Sequence, residues 1–202
     1  QDFLHGRGPV TALPVVADPP PVFVLAMGRG LEIAAQLGLP VVVGGSKLLA
    51  DPAPLEKYRA NFRPGVDDAT DVAGGVAGGM AGGVAEPYVV VSLEVAVAES
   101  TEAARELLVS EAWAMAESRE TGAFGPLSSP AEVLGRKFRP QQLRRMQDWL
   151  DGAVYGDLAR VAGELSLLVE RTGADEIMVS TSMFDRDALA RSDAALAELI
   201  PR

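Results

Sequence analysis

The chain has 202 residues, 48% of them apolar, and its 28 acids against 18 bases leave a net charge of −10. That much apolar material builds a sizeable core and argues against global disorder, while the acid excess argues against a nucleic-acid partner, which a basic stripe would mark. With no cysteine and one histidine, His5, disulfides, thiolate metal sites, Cys nucleophiles and a histidine metal cluster are excluded.

No apolar run reaches the roughly 18–20 residues of a membrane span, and no signal-peptide pattern opens the chain. The lack of cysteine fits a reducing cytoplasm. The first residue is Gln rather than Met, which reads as a trimmed start or the edge of a fragment. Four prolines among residues 1–20 leave no periodicity, and a loop is expected there. Residues 21–27 form a continuous apolar run of strand length, broken by Gly28-Arg29-Gly30. Residues 31–37 read as a helix stopped by Gly38, with Pro40 behind it. Val41-Val42-Val43 is a second strand, ended by Gly44-Gly45, and residues 54–62 suggest a second helix.

Residues 66–86 differ in kind. Asp67, Asp68 and Asp71 precede a glycine-rich four-residue repeat, expected to be a flexible insertion because such chain is costly to order. It lacks the Lys-Ser/Thr ending of a phosphate-binding loop. Residues 88–97 are the clearest strand, with Tyr88, Val90, Ser92, Glu94 and Ala96 sharing one face. Ser100 caps a helix over 101–117. Ser129-Pro130-Ala131-Glu132 has capping-box spacing, and Pro140 opens a helix that stops near Gly152. Asp157 caps a helix ended by Gly173. Residues 176–180 form the fourth strand, and a last helix follows Asp185.

The pattern is strand–helix four times, with extra helices before the last strand. It predicts a single α/β domain over 1–202 whose four strands form one parallel sheet, covered on both faces. Two architectures fit: an open doubly wound sheet, or four of the eight units of a (β/α)8 barrel. Either places a site at the C-terminal strand ends, which are residues 27–30, 44–47, 98–100 and 180–182. Gly28-Arg29-Gly30 stands between a strand and a helix. It is either a tight turn with a solvated arginine or a phosphate site made by free amides, the helix dipole and Arg29. Glu94, if buried, is either a satisfied structural carboxylate or the lining of a cavity. Trp113 and Trp149 read as packing residues. Asp175 and Glu176 are neighbours on a strand and point to opposite faces, so they are not a carboxylate pair.

Several stretches, taken in order, resemble the C-terminal half of bacterial luciferase-like flavin-dependent monooxygenases. They are Pro20-Pro21-Val22-Phe23-Val24-Leu25, then Glu32 through Gly38-Leu39-Pro40, and Tyr58-Arg59 with Phe62-Arg63-Pro64. Val95 to Ala104, Thr172 to Val179, and Asp185 with Arg191-Ser192 and Leu196-Ala197 complete the likeness. The resemblance implies a partial (β/α)8 barrel and an enzyme that uses reduced FMN, or a deazaflavin, with O2 to oxidise a small organic substrate. It implies cofactor contacts at Met27, Gly28, Arg29, Gly30 and Leu31, although Met27 and Gly30 stand where the family commonly has hydroxyls. Ser92, Glu94, Ser180 and Thr181 are the expected substrate pocket. The family's first four βα units and its catalytic histidine have no counterpart here. The chain therefore reads as a fragment, inactive alone, whose partner is a dimer mate or the N-terminal half. A short non-catalytic flavin- or nucleotide-binding relative, or a partner subunit, is the other reading.

Overall fold

The computed structural model describes residues 6, 8–14, 21–45, 48, 51–64 and 83–199. His5, Ser46-Lys47 and all but residues 83–86 of the glycine-rich insertion lie outside them. The order is β1 (Val24–Leu25), α1 (Arg29–Leu37), β2 (Val41–Gly44), α2 (Ala53–Ala60), β3 (Val89–Leu93), β4 (Val95–Val97), α3 (Thr101–Thr121), α4 (Pro130–Leu134), α5 (Pro140–Leu150), β5 (Val154–Gly156), α6 (Leu158–Thr172), β6 (Glu176–Val179) and α7 (Arg186–Ala197). The larger sheet has the order β1-β2-β3-β6, and a second sheet pairs β4 with β5. The chain divides into two compact units, residues 1–43, 51–91 and 174–176, and residues 44–50, 92–173 and 177–202.

In the first unit β1 and β2 are parallel, with Val24 opposite Val41 and Leu25 opposite Val42. Helix α1 buries Leu31, Ala34 and Ala35, an i, i+3, i+4 stripe. Gly38 ends it in the left-handed region (φ 66°), a conformation that costs glycine little. The carbonyls at this helix end are answered from a distance: the Arg63 N–H donates to Ala35 O at 2.8 Å and the Val84 N–H to Gly38 O at 2.8 Å. The Tyr58 hydroxyl donates to Leu39 O at 2.9 Å. Tyr58 is buried and meets Phe62 edge-on, ring centroids 5.6 Å apart. The Tyr-Arg and Phe-Arg-Pro stretch is thus the tether that returns the chain to the end of α1. Val89 N–H donates to the Asp175 carboxylate at 2.8 Å, and the Tyr88 hydroxyl donates to Glu176 at 3.2 Å. The two adjacent acids serve different partners.

The second unit is built on α3. Leu108, Val109, Ala112, Trp113 and Ala116 are buried with Val133, Met146 and Leu150 from α4 and α5. Trp113 lies 5.2 Å from Phe138, with the Arg136 guanidinium 5.0 Å above its ring. Four helices start on side-chain caps: Ser100 on the Ala103 N–H, Ser129 in a complete capping box with Glu132, Asp157 on the Arg160 N–H, and Asp185 on the Asp187 and Ala188 N–H groups.

Two sequence expectations change. The strand expected over 88–97 breaks at Glu94, and its two parts take different partners. The β3–β6 bonds advance in the same sense, Asp175 N to Val89 O and then Ser180 N to Leu93 O, so those strands are parallel. Beyond the break β4 pairs in parallel with β5, which the sequence reading left unassigned. Among the described residues no strand lies on the edge of β4 away from β5. Val95 N–H donates to the Thr181 hydroxyl at 2.7 Å, that hydroxyl donates back to Val95 O at 2.8 Å, and Val97 N–H donates to Ser192 Oγ at 2.9 Å. Three side-chain bonds stand in for a ladder. Among the described residues, one face at β1 is also left largely open. Phe23, Leu25 and Met27, successive residues of one face, are 40%, 79% and 85% exposed, because four strands supply only half of the side chains that fill a barrel interior.

Two outcomes test these tethers. Tyr58→Phe leaves the Leu39 carbonyl without its donor and should destabilise the chain by about 1 kcal/mol in urea unfolding. Burial, the largest cause, pushes the Tyr58 phenol up to about 12 from 10. The native state then holds a proton that the unfolded state releases, so this part of the stability is present below pH 10 and lost as pH rises towards 12. Tyr58→Phe should flatten that fall. Thr181→Val orphans both polar groups of Val95 and should cost about 1–3 kcal/mol, with Thr181→Ser recovering most of it. Equal unfolding midpoints for the Val and Ser variants would overturn the bridging role.

Candidate functional site

The residues expected to hold a cofactor lie on the turn between β1 and α1. The helix begins at Arg29, two residues earlier than the sequence suggests, so Arg29, Gly30 and Leu31 form its first turn. Gly28 is the cap residue, at φ 54°, and a side chain placed there would meet nothing within 4 Å. Open space and positive φ together make this a point of close backbone approach. Not every amide of the turn is free. The Gly30 N–H donates to Met27 O at 3.1 Å and the Leu31 N–H to Gly28 O at 3.2 Å. No described residue accepts from the N–H of Gly28 or Arg29. The Arg29 and Met27 side chains are exposed, whereas Leu31 is buried in the core and offers a ligand no side chain.

Beside this turn, within the first unit, runs a groove of about 650 Å³ lined by Gly28, Glu32, Gln36, Lys57 and Arg63 among others. Lys57 and Arg63 bring two cations to a groove that also holds Glu32. Sequence reasoning passed over both, although they flank Tyr58 and Phe62, the aromatic residues of the stretch that returns the chain to α1.

The expected pocket residues Ser92, Glu94, Ser180 and Thr181 all belong to the second unit. Ser92 and Ser180, at the ends of β3 and β6, bring their hydroxyls to 3.4 Å. Thr181 is committed to Val95 on both its donor and acceptor sides. Glu94 sits at the strand break, half-buried rather than buried, and its backbone oxygen accepts from Val154 N–H at 2.9 Å.

Sequence reasoning did not find Glu111. It projects from the middle of α3, and its Oε2 accepts the Ser182 N–H at 2.7 Å. Burial, the largest cause, pushes its carboxyl above the ordinary range; Glu94 adds to the rise, and the hydrogen bonds from Ser182 oppose it. An acid inside the apolar stripe Leu108, Val109, Ala112, Trp113 was the available signal. A second groove, of about 950 Å³, lies past the end of β4, with Val97, Ala98, Phe184 and Arg191 among its lining. Among the described residues no cluster of three or more potential metal ligands occurs, and no helix is long and apolar enough to cross a membrane.

No protein-family profile matches the chain. A luciferase-like monooxygenase of Escherichia coli K12 is 28% identical over 197 residues, covering 95% of this chain and 53% of that protein. The crystal structure of apo-MsnO8 aligns with a TM-score of 0.73 at 24% identity, over 98% of this chain and 57% of its own. The oxygenating constituent of 3,6-diketocamphane monooxygenase from Pseudomonas putida, a type II Baeyer-Villiger monooxygenase in complex with FMN, aligns with a TM-score of 0.54 at 15% identity. That alignment covers 90% of this chain and 48% of the other. The chain spans about half the length of the curated relatives it matches. Its parallel strands and helices are those of a partial (β/α)8 barrel, and in sequence it is similar to proteins named luciferase-like monooxygenases over about half of their length.

Proposed function

We propose that the chain is the flavin-phosphate-binding half of a monooxygenase that uses reduced FMN and O2 to oxidise a small organic substrate. The observation that carries this reading is the β1–α1 turn. Its cap glycine is open to close approach, two N–H groups there have no described acceptor, and an exposed arginine stands at the positive end of α1. The donor set suits a phosphate. Gly28 and Arg29 would hold it through their amides, and the Arg29 guanidinium would add a charge-assisted fork. The exposed Glu32 carboxylate, in the same first turn, opposes the anion. When bound, the reduced flavin supplies the reaction with oxygen; this chain's residues bind and orient it and exclude water. We assign Ser92, Glu94, Ser180 and Thr181 to the substrate pocket. The lack of cysteine supports a cytoplasmic enzyme. For the 202 residues alone we propose flavin binding without steady turnover, because the relatives named as monooxygenases are about twice as long.

Titrating FMN and riboflavin against the wild type and Arg29→Ala, followed by flavin fluorescence, tests the reading. A charge-assisted hydrogen bond is worth about 1.5–3 kcal/mol. FMN affinity should therefore fall roughly ten- to a hundredfold, while riboflavin, which lacks the phosphate, barely responds. Equal losses for both would mean that Arg29 acts through the fold. No flavin binding by the wild type, with a deazaflavin bound instead, would move the cofactor assignment; no binding of either would favour the non-catalytic reading.

A further inference from the structure

We propose that Glu111 is a positioning residue: its carboxylate accepts the Ser182 N–H and thereby fixes the segment 180–182, at the end of β6, against Ser92 and Val95. The proposal rests on the reading of Ser92, Ser180 and Thr181 as pocket residues. The geometry forms one connected chain. Glu111 Oε2 takes the Ser182 N–H at 2.7 Å. One residue back, the Thr181 hydroxyl bridges the N–H and C=O of Val95 at 2.7 and 2.8 Å. One residue further back, Ser180 Oγ lies 3.4 Å from Ser92 Oγ, and Ser180 N–H donates to Leu93 O at 3.2 Å. Three consecutive residues are therefore held by three different elements, and only α3 holds the third.

Glu111 differs from the other members of this chain in carrying a charge. Glu94, at the break between β3 and β4, faces it; the segment after β6 faces it with the uncharged Ser182. Among the described residues no Lys or Arg forms an ion pair with it. Its burial and the neighbouring Glu94 both favour protonation, and the hydrogen bonds from Ser182 oppose them. A neutral carboxyl is a weaker acceptor than a carboxylate. The hold on Ser182 therefore weakens as pH falls through the raised Glu111 pKa, and Thr181 and Val95 loosen with it. Glu111→Gln keeps an acceptor oxygen of the same reach but does not titrate.

The test is amide hydrogen exchange and amide resonance titration of the full 202-residue chain, without flavin. In the wild type the Ser182 amide resonance should move with pH at a midpoint above the ordinary carboxylate range, and in Glu111→Gln it should be flat. Glu111→Ala should speed exchange of the Ser182 N–H by roughly ten- to a hundredfold, the size expected for losing one charge-assisted bond. The Val95 N–H, which Glu111 does not touch, should also exchange faster, and Glu111→Gln should restore both. Acceleration confined to Ser182 would reduce Glu111 to the cap of a single amide and overturn the proposal. So would a pH-independent Ser182 resonance in the wild type. Because no flavin enters the measurement, its failure leaves the flavin reading standing, and a failure to bind FMN leaves the exchange result standing.

Discussion

The Thr181 hydroxyl, held between the N–H and C=O of Val95, is the bond on which the second unit's architecture turns. A parallel strand can change partners along its length only if the backbone groups facing away from the new partner find others. At Glu94 the edge of the long strand that faced β2 takes up β5, the edge that faced β6 loses its strand, and Val95 on that edge would carry an unmet donor and acceptor without Thr181. Ser192, buried on α7, does the same for Val97. Side-chain hydroxyls thereby let β4 end in a groove rather than against another strand. The same substitution brings the end of β6 under the reach of Glu111.

The first unit uses a different device. The last carbonyls of a helix have no partner within it, and here the end of α1 is met by chain that follows α2 and by the Tyr58 hydroxyl. This explains why the Gly-Leu-Pro stretch and the Tyr-Arg and Phe-Arg-Pro stretch belong to the same family likeness: each supplies what the other lacks. They hold the C-terminal end of the helix whose N-terminal end presents Gly28 and Arg29.

The parts of the fold legible in the sequence were those set by local chemistry. The capping box at Ser129, the caps at Ser100 and Asp157, and the stops at Gly38 and Gly173 all stand where residue type alone puts them. The strand break at Glu94 was not legible, because alternation runs unbroken through 88–97 and the cause, a threonine 86 residues away, is not local. β5 was hidden by its length of three residues, too short for any periodicity. In the candidate site, the turn at Gly28 was visible as a glycine pair between strand and helix, but the local engagement of the Gly30 and Leu31 amides was not, since it depends on where the helix starts. Glu111 was missed because an acid on a long helix, here one of five, ordinarily faces water; what marks it is the amide of Ser182, 71 residues away.

The exposed row Phe23, Leu25 and Met27 runs through β1 and past both of its ends, and among the described residues β1 stands at one end of the strand order β1-β2-β3-β6. An edge strand with apolar side chains and a free line of backbone groups is a template for adding another strand, whether from a second copy or from an unfolded chain. The feature that opposes such growth is the net charge of −10, a repulsion that acts through solvent and is screened over about 8 Å at physiological ionic strength. Colloidal behaviour of these 202 residues is thus a contest between a short-range adhesive edge and a long-range field, and salt tips it towards adhesion.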